Sequence, residues 1–175
     1  MTTGDHEHTK DDRTRVYARQ MGTLFGIGAY GTAGLMGTTE ISGVEGFART
    51  ARELYAAPSE TELLQLAVDL ALKIVNGGDH AGICIVQGRE FSTPVASDDV
   101  VRRGDALQYQ LGEGPCLDAV RSRDTVISRN LGEEARWPEW TPRAVSVLGI
   151  KAIMSLWLYT SLNPDCADSY GALNL

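Results

Sequence analysis

Two amphipathic helices are predicted in the first half of the chain. Apolar residues recur at helical spacing over residues 44–57, and this helix must end before Pro58 because proline disfavours helical backbone in the residue that precedes it. Ser59 and Glu62 form a capping box for a second helix, in which the apolar spacing continues over residues 59–75. The Asn-Gly-Gly sequence at 76–78 ends that helix.

The period changes after residue 78, and the rest of the chain predicts strands and short helices. Apolar runs at 81–86 and 91–96, separated by Gln-Gly-Arg-Glu, indicate a β-hairpin. The other predicted elements are, in chain order, helix 100–109, helix 116–122, strand 125–128, helix 137–148, strand 152–159, a turn at 163–165 and strand 170–175. Strands joined by short connections indicate an antiparallel sheet, so the predicted fold class is α+β.

Residues 1–43 are predicted to lie outside the packed domain. Residues 1–20 are charged without apolar periodicity, which predicts a disordered tail, and glycine recurs so often over 21–43 that a flexible linker is expected. The linker contains a Gly-x-Gly-x-x-Gly match at 26–31, but no strand precedes it, so it indicates no dinucleotide site. The predicted organisation is a tail and linker at 1–43, a helix at 44–57 and a folded domain at 59–175.

Composition and charge narrow the function classes. The 43% hydrophobic and 22% charged residues are typical of a globular chain, and a net charge of -7 without a basic stripe argues against direct nucleic-acid binding. The three cysteines are too few and too widely spaced for a disulfide framework or a zinc site, which favours reduced thiols. We see no secretory signal and no membrane-spanning run, so we expect a cytoplasmic protein with no metal and no membrane partner.

Three motifs occur in order along the second half of the chain: Gly-Glu-Gly-Pro-Cys-Leu-Asp-Ala at 112–119, Arg-Trp-Pro at 136–138 and Gly-Ala-Leu-Asn-Leu at 171–175. Their order and spacing resemble a GAF domain. The resemblance covers 59–175 and is strongest to the input domain of actinobacterial GAF-ANTAR transcription antitermination regulators. It implies a central antiparallel sheet of five to six strands with helices on both faces, and a ligand pocket on one of them.

The resemblance also implies a partner. In that family a C-terminal ANTAR module binds RNA, and a helix follows the last GAF strand; this sequence ends at Leu175 without either. Loss of the closing helix would leave an apolar stripe exposed beside the helix at 59–75. We therefore expect a homodimer built on the helices 44–57 and 59–75.

Cys116 is the residue with the most chemical promise, because a helix N-terminus stabilises a thiolate. Three interpretations stay open for it: a small buried residue that packs the turn, a wall of a ligand pocket, or a catalytic thiol. In the pocket interpretation Tyr109, Trp137 and Trp140 would cover an apolar or planar ligand. Arg129 and Asn130, at the end of the third strand, would add polar contacts.

The catalytic interpretation depends on a second resemblance. Free methionine-(R)-sulfoxide reductases are also GAF domains, and their catalytic cysteine lies in a turn similar to 112–116. Such a reductase needs a second cysteine within reach of the first, and neither Cys84 nor Cys166 stands in a context that identifies it as that partner.

No cofactor is expected. The signatures of cyclic-nucleotide and tetrapyrrole-binding GAF domains are missing, and His80, just before the first strand, is more typical of a turn residue than of a haem ligand. The leading hypothesis is a non-enzymatic sensory domain for an unknown small molecule, acting in transcription regulation through a dimer interface. The alternatives are a thiol-based reductase and a purely structural dimerisation module.

Overall fold

The computed structural model describes residues 44–159 and 169–175. The predictions of a disordered tail and linker at 1–43 and of a turn at 163–165, as well as Cys166, lie outside the described residues. Among the described residues no helix is both long enough and apolar enough to cross a membrane.

The described chain forms five α-helices, a short 3-10 helix and five strands, close to the predicted order. The elements are α1 (Val44–Ala56), α2 (Glu60–Ile74), β1 (Gly82–Gln87), β2 (Glu90–Ala96), α3 (Asp99–Leu111), α4 (Pro115–Ser122), β3 (Val126–Ser128), a 3-10 helix (Leu131–Glu133), α5 (Trp140–Leu148), β4 (Ile153–Tyr159) and β5 (Ser169–Asn174).

The strands form one antiparallel sheet in the order β2-β1-β5-β4-β3. The last strand therefore lies in the centre, where Cys84 of β1 pairs with Ala172 and Ser155 of β4 pairs with Asn174. Helices cover both faces, and the α+β class with a five-stranded antiparallel sheet is confirmed.

Each face of the sheet has its own hydrophobic core. On one face α2 and Leu54 of α1 pack against Ile83, Leu158 and Leu173. On the other face α4 and α5 pack against Cys84 and Ala172, together with the residues that contribute most of the volume there, Trp137 and Trp140. The second core fills the space between the sheet and the helices α3 and α5. The candidate site lies at the edge of this core.

The helix ends follow the capping residues of the sequence. The Ser59 hydroxyl accepts a hydrogen bond from the backbone N–H of Glu62, and Asp98 caps α3 by accepting from two backbone N–H groups. Gly112 and Gly149 end α3 and α5 in the left-handed conformation that glycine adopts at low cost.

One helix begins later than predicted. The prediction places its start at Trp137, but α5 begins at Trp140, because a Glu113 carboxylate oxygen accepts hydrogen bonds from the backbone N–H groups of Glu139 and Trp140, both at 2.6 Å. A residue 26 positions earlier in the chain thus defines the N-terminus of α5. Local proline patterns carry no information about such a contact.

The exposed apolar stripe expected beside the helix at 59–75 is not found among the described residues. All large apolar side chains of α2 are buried or half-buried against the sheet and α1. Tyr55, 53% exposed, is the one large apolar side chain that is exposed among those described on α1 and α2. The homodimer itself stays a prediction.

Candidate functional site

A cleft of about 540 Å³ opens at the end of the sheet where β1 begins and β5 ends. The first half of α3 forms one wall, and the segment 149–154 between α5 and β4 forms the other. Residues 127–129 at the end of β3 and the loop 75–80 before β1 border its mouth. Most of the lining is apolar, as in many small-molecule sites.

Buried polar side chains form the floor of the cleft, with Asp105 of α3 at their centre. One Asp105 oxygen, Oδ1, accepts hydrogen bonds from Gln108 Nε2 at 3.1 Å and Asn174 Nδ2 at 3.0 Å. The other, Oδ2, accepts from Thr93 Oγ1 at 2.8 Å. Asp105 is only 2% exposed, and its three partners are all uncharged.

The electrostatics of Asp105 follow from this environment. Burial raises the pKa of Asp105 from its ordinary 3.8 to about 6, although the three hydrogen bonds act in the opposite direction. Within the described part of the chain Asp105 forms no ion pair. The carboxylate is therefore a buried negative charge with donors around it and no cation to balance it.

Charged side chains surround the mouth. Arg129 follows β3 and Lys151 precedes β4, and the two lie at one corner because Ser128 pairs with Ile153 and the Leu131 N–H donates to the Lys151 carbonyl at 2.8 Å. Both cations are exposed. On the opposite rim Asp79 is exposed, and His80 Nδ1 lies 2.7 Å from Asp98 Oδ2.

Two tryptophans stand behind the cleft in an edge-to-face pair, with ring centroids 5.8 Å apart. Trp140 lines the cleft, and its indole Nε1–H donates to the Gly104 carbonyl at 3.1 Å. Trp137 lies one layer deeper and donates from Nε1 to Asp118 Oδ2 at 2.8 Å. Both are fully buried, so they form a rigid apolar wall.

Tyr109 and Asn130 lie outside the lining. The half-buried Tyr109 stacks on Phe91, with centroids 5.6 Å apart, and its hydroxyl lies 2.7 Å from Thr93 Oγ1. It thus reaches the cleft floor only through Thr93. The Asn130 side chain accepts from the backbone N–H of Gly132 and so caps the 3-10 helix.

Cys116 is buried at the N-terminus of α4, and its Sγ lies 2.6 Å from Sγ of Cys84. The hydrogen bond with Cys84, and next the burial, raise the pKa of Cys116 well above its usual range. The prediction of a stabilised thiolate is therefore wrong: loss of solvent and a neighbouring sulfur outweigh the helix dipole. The Cys116 backbone N–H donates to Gln108 Oε1 at 2.8 Å, which links it to the cleft floor.

The structure thus brings part of the predicted site together. Arg129 and Trp140 line the cleft, whereas Tyr109, Cys116, Asn130 and Trp137 do not. Sequence reasoning missed the polar floor, Asp105, Gln108 and Asn174, and also missed Cys84 as the neighbour of Cys116. Two of these residues could have been found from the sequence, because Asp105 and Gln108 occur on the same helix face as apolar Val101, which indicates that they face the core.

Residues 57–156 match the model of the GAF domain. No curated protein matches the sequence. The matched segment contains every helix and strand from α2 to β3, together with α5 and the cleft wall that follows it. Since the match spans more than half of the 175 residues and the sheet has the expected form, the chain belongs to the GAF domain family, whose members are generally non-enzymatic sensory domains that bind small molecules.

Proposed function

We propose that this chain is a non-enzymatic input domain that binds a small molecule in the cleft at the end of the sheet. In this proposal it acts in the cytoplasm as the sensory part of a regulator related to the GAF-ANTAR proteins, and it passes the ligand signal to a transcriptional partner. The family assignment supports the sensory role. The cleft floor supports the binding site.

The observation that carries the proposal is the concentration of buried polar side chains at one cleft. Of the seven buried polar or charged residues in the described part of the chain, four line the cleft: Asp105, Gln108, Ser128 and Asn174. Burying a polar group costs free energy unless it is hydrogen-bonded, and replacing both partners of a buried hydrogen bond by apolar groups of the same shape is often neutral or stabilising. A group of polar side chains around an open cleft therefore favours ligand recognition.

A thermal-shift screen with a metabolite library tests the proposal. A compound that binds the native state raises the melting temperature by linkage, by several degrees at about 100 times its Kd. Ala152 lines the cleft and is exposed, whereas Ala106 is exposed on α3 outside the lining. We expect Ala152→Trp to abolish the shift and Ala106→Trp, the matched control, to retain it.

Two results would contradict the proposal. If no compound raises the melting temperature, a structural dimerisation module becomes the better account of the domain. If a compound produces the same shift in both tryptophan variants, the ligand binds elsewhere. Mass spectrometry of small molecules that remain bound through purification provides a second, independent measurement.

For signal output we propose a homodimer through the helices 44–57 and 59–75. The support is the exposed ring of Tyr55 on α1, next to buried Leu54. Light scattering after size-exclusion chromatography should give twice the monomer mass of 18.9 kDa, and Tyr55→Ser should shift the equilibrium towards monomer. A monomer at micromolar concentration would rule out this interface.

A thiol-based reductase is the second candidate, and the contact between Cys84 and Cys116 favours it. Cys116 would attack the sulfur of a sulfoxide, releasing the thioether and leaving a sulfenic acid; Cys84 would then displace water from it to form a disulfide. The two electrons come from the two thiols, and an added dithiol would regenerate them. Burial of both sulfurs and the raised pKa of Cys116 oppose this reaction, so the sensor remains the leading proposal.

The two candidates differ in a single assay. A reductase would consume free methionine-(R)-sulfoxide in the presence of dithiothreitol, and Cys116→Ala would stop turnover. Cys84→Ser would only slow it, because dithiothreitol also reduces the sulfenic acid directly. The sensor proposal expects no turnover in the wild-type protein. It also expects Cys84→Ser to leave ligand-induced thermal shifts intact.

A further inference from the structure

The two ends of the cleft have opposite charge. At the floor, the Asp105 carboxylate is surrounded by Thr93, Gln108 and Asn174, which donate hydrogen bonds but carry no charge. Carboxylates accept up to about four hydrogen bonds, and Asp105 accepts three. Its Oδ2 therefore keeps capacity for one further donor.

At the mouth, Arg129 and Lys151 are exposed, and neither forms a hydrogen bond or ion pair through its side chain with any residue that the structure describes. Two unpaired cations at one corner repel each other weakly, and an anion placed between them would be attracted by both. Their position is notable because the chain as a whole has a net charge of -7. A carboxylate near this corner, that of Glu134 beside Ser128, is already paired with Arg136 at 2.6 Å.

An apolar passage connects the two ends. The wall from α5 to β4 contributes Ile150 and Ile153, and Trp140 closes the back of the cleft. These side chains offer no charge and few hydrogen bonds, so they suit a flat or aliphatic segment of a ligand.

We infer that the cleft is built for a zwitterionic small molecule, with an amine, amidine or guanidine group at its inner end and a carboxylate or phosphate at its outer end. The cationic group donates to Asp105 and neutralises the buried charge. The anionic group remains at the mouth between Arg129 and Lys151, and an apolar segment joins the two. This inference rests on the proposed function, because it names the ligand class of the same cleft.

The test uses four probes of similar size in isothermal titration. The zwitterion is 4-guanidinobenzoate; phenylguanidine lacks its anion, benzoate lacks its cation, and indole has neither charge. We expect 4-guanidinobenzoate to bind roughly tenfold more tightly than benzoate, because a charge-assisted hydrogen bond is lost in benzoate, and about threefold more tightly than phenylguanidine, because exposed ion pairs are weak.

Matched variants assign each preference to a residue. Asp105→Asn should remove the advantage over benzoate, and the double change Arg129→Ala with Lys151→Ala should remove the advantage over phenylguanidine. Arg103→Ala, an exposed cation of α3 outside the cleft, should change neither. The variants at the mouth replace exposed side chains, so they keep the test decisive even where Asp105→Asn perturbs folding.

The results separate the inference from the proposed function. If all four probes bind equally, or if indole alone binds, the cleft takes ligands but the zwitterion inference is wrong. If 4-guanidinobenzoate does not bind, the inference is also wrong, and the metabolite screen then shows independently whether the cleft binds anything. Preferences that persist in the double variant at the mouth would likewise overturn it.

Discussion

The buried carboxyl of Asp105 should make the domain less stable as the pH rises. Its pKa is 3.8 when exposed and about 6 in the folded protein. Between these values the unfolded chain has released this proton while the folded chain still holds it, so the free energy of unfolding falls as the pH increases. A difference of this size corresponds to about 3 kcal/mol, lost between pH of about 4 and about 6.5.

Other carboxyl groups affect the stability of the domain in a different pH range. The Arg136 guanidinium lowers the pKa of Glu134 to about 2, so the stability that Glu134 provides is present above its ordinary pKa of 4.5 and is lost only as the pH falls towards 2. Asp98, bonded to His80 and Ser97, also has a lowered pKa. Both groups make the domain less stable as the pH falls, which is opposite to the effect of Asp105, and they do so only at acid pH. A decrease in stability from about pH 4.5 to 6.5 that disappears in Asp105→Asn therefore reports on Asp105.

Asp105→Asn isolates the effect, since asparagine imitates the protonated acid. Its oxygen can keep the bonds from Gln108 and Asn174, and its amide nitrogen can donate to Thr93 Oγ1, whose hydroxyl then donates to Tyr109. We expect this variant to lose the pH dependence and, at pH 7, to exceed the wild type in stability by up to about 3 kcal/mol.

Urea denaturation followed by tryptophan fluorescence measures these changes, because Trp137 and Trp140 are buried in the folded domain. The matched control is Asp69→Asn, an exposed carboxyl on α2, which should leave the pH dependence unchanged. The reasoning would be refuted if the wild-type stability were constant from about pH 4.5 to 6.5, or if the stability of Asp105→Asn fell with pH as steeply as that of the wild type.

Three further predictions concern stability, each measured by urea denaturation. Gly171→Ala should prevent folding because the new Cβ would collide with the Cys84 carbonyl across the sheet. Gly104→Ala, inside α3, should stabilise the domain by up to about 1 kcal/mol because its Cβ would meet only ordinary contacts. Comparable stability of the two variants would contradict these expectations. Glu113→Ala should cost about 1 kcal/mol by removing the acceptor at the start of α5, and an unchanged midpoint would count against that role. Trp137→Phe should cost about 1–3 kcal/mol because the hydrogen bond from the buried indole to the half-buried Asp118 carboxylate is lost, and an unchanged midpoint would contradict this.

The elements of the fold could be predicted because their causes are local. Ser59 and Asp98 begin helices with their own side chains, and Gly112 ends one with its own backbone. The order of the strands could not be read from such signals. Placing β5 between β1 and β4 depends on contacts between residues 90 or more positions apart, such as Ile83 with Leu173. Hydrophobic alternation identifies a strand without identifying its partner.

The candidate site was less predictable for the same reason. Arg129 and Trp140 were chosen for their residue type, which is sufficient for a rim cation and an aromatic wall. Asp105 was missed because a charged residue in a helix is usually solvent-exposed, and only tertiary structure shows that Asn174 and Thr93 satisfy it. Cys84 was missed because nothing in the middle of an apolar strand indicates which side chain from another element it will meet.

The segment 112–119, on which the family resemblance depends, was expected to present a reactive thiol at Cys116. The structure gives its glycines and backbone a different role. Gly114 has φ +136°, and a Cβ there would collide with the Gln108 side chain. That side chain accepts from the Cys116 backbone N–H and donates to Asp105. The glycine thus leaves space for a glutamine that ties the start of α4 to the floor of the cleft. The motif positions the floor of the cleft through backbone contacts, and the thiol beside it contributes to the buried core.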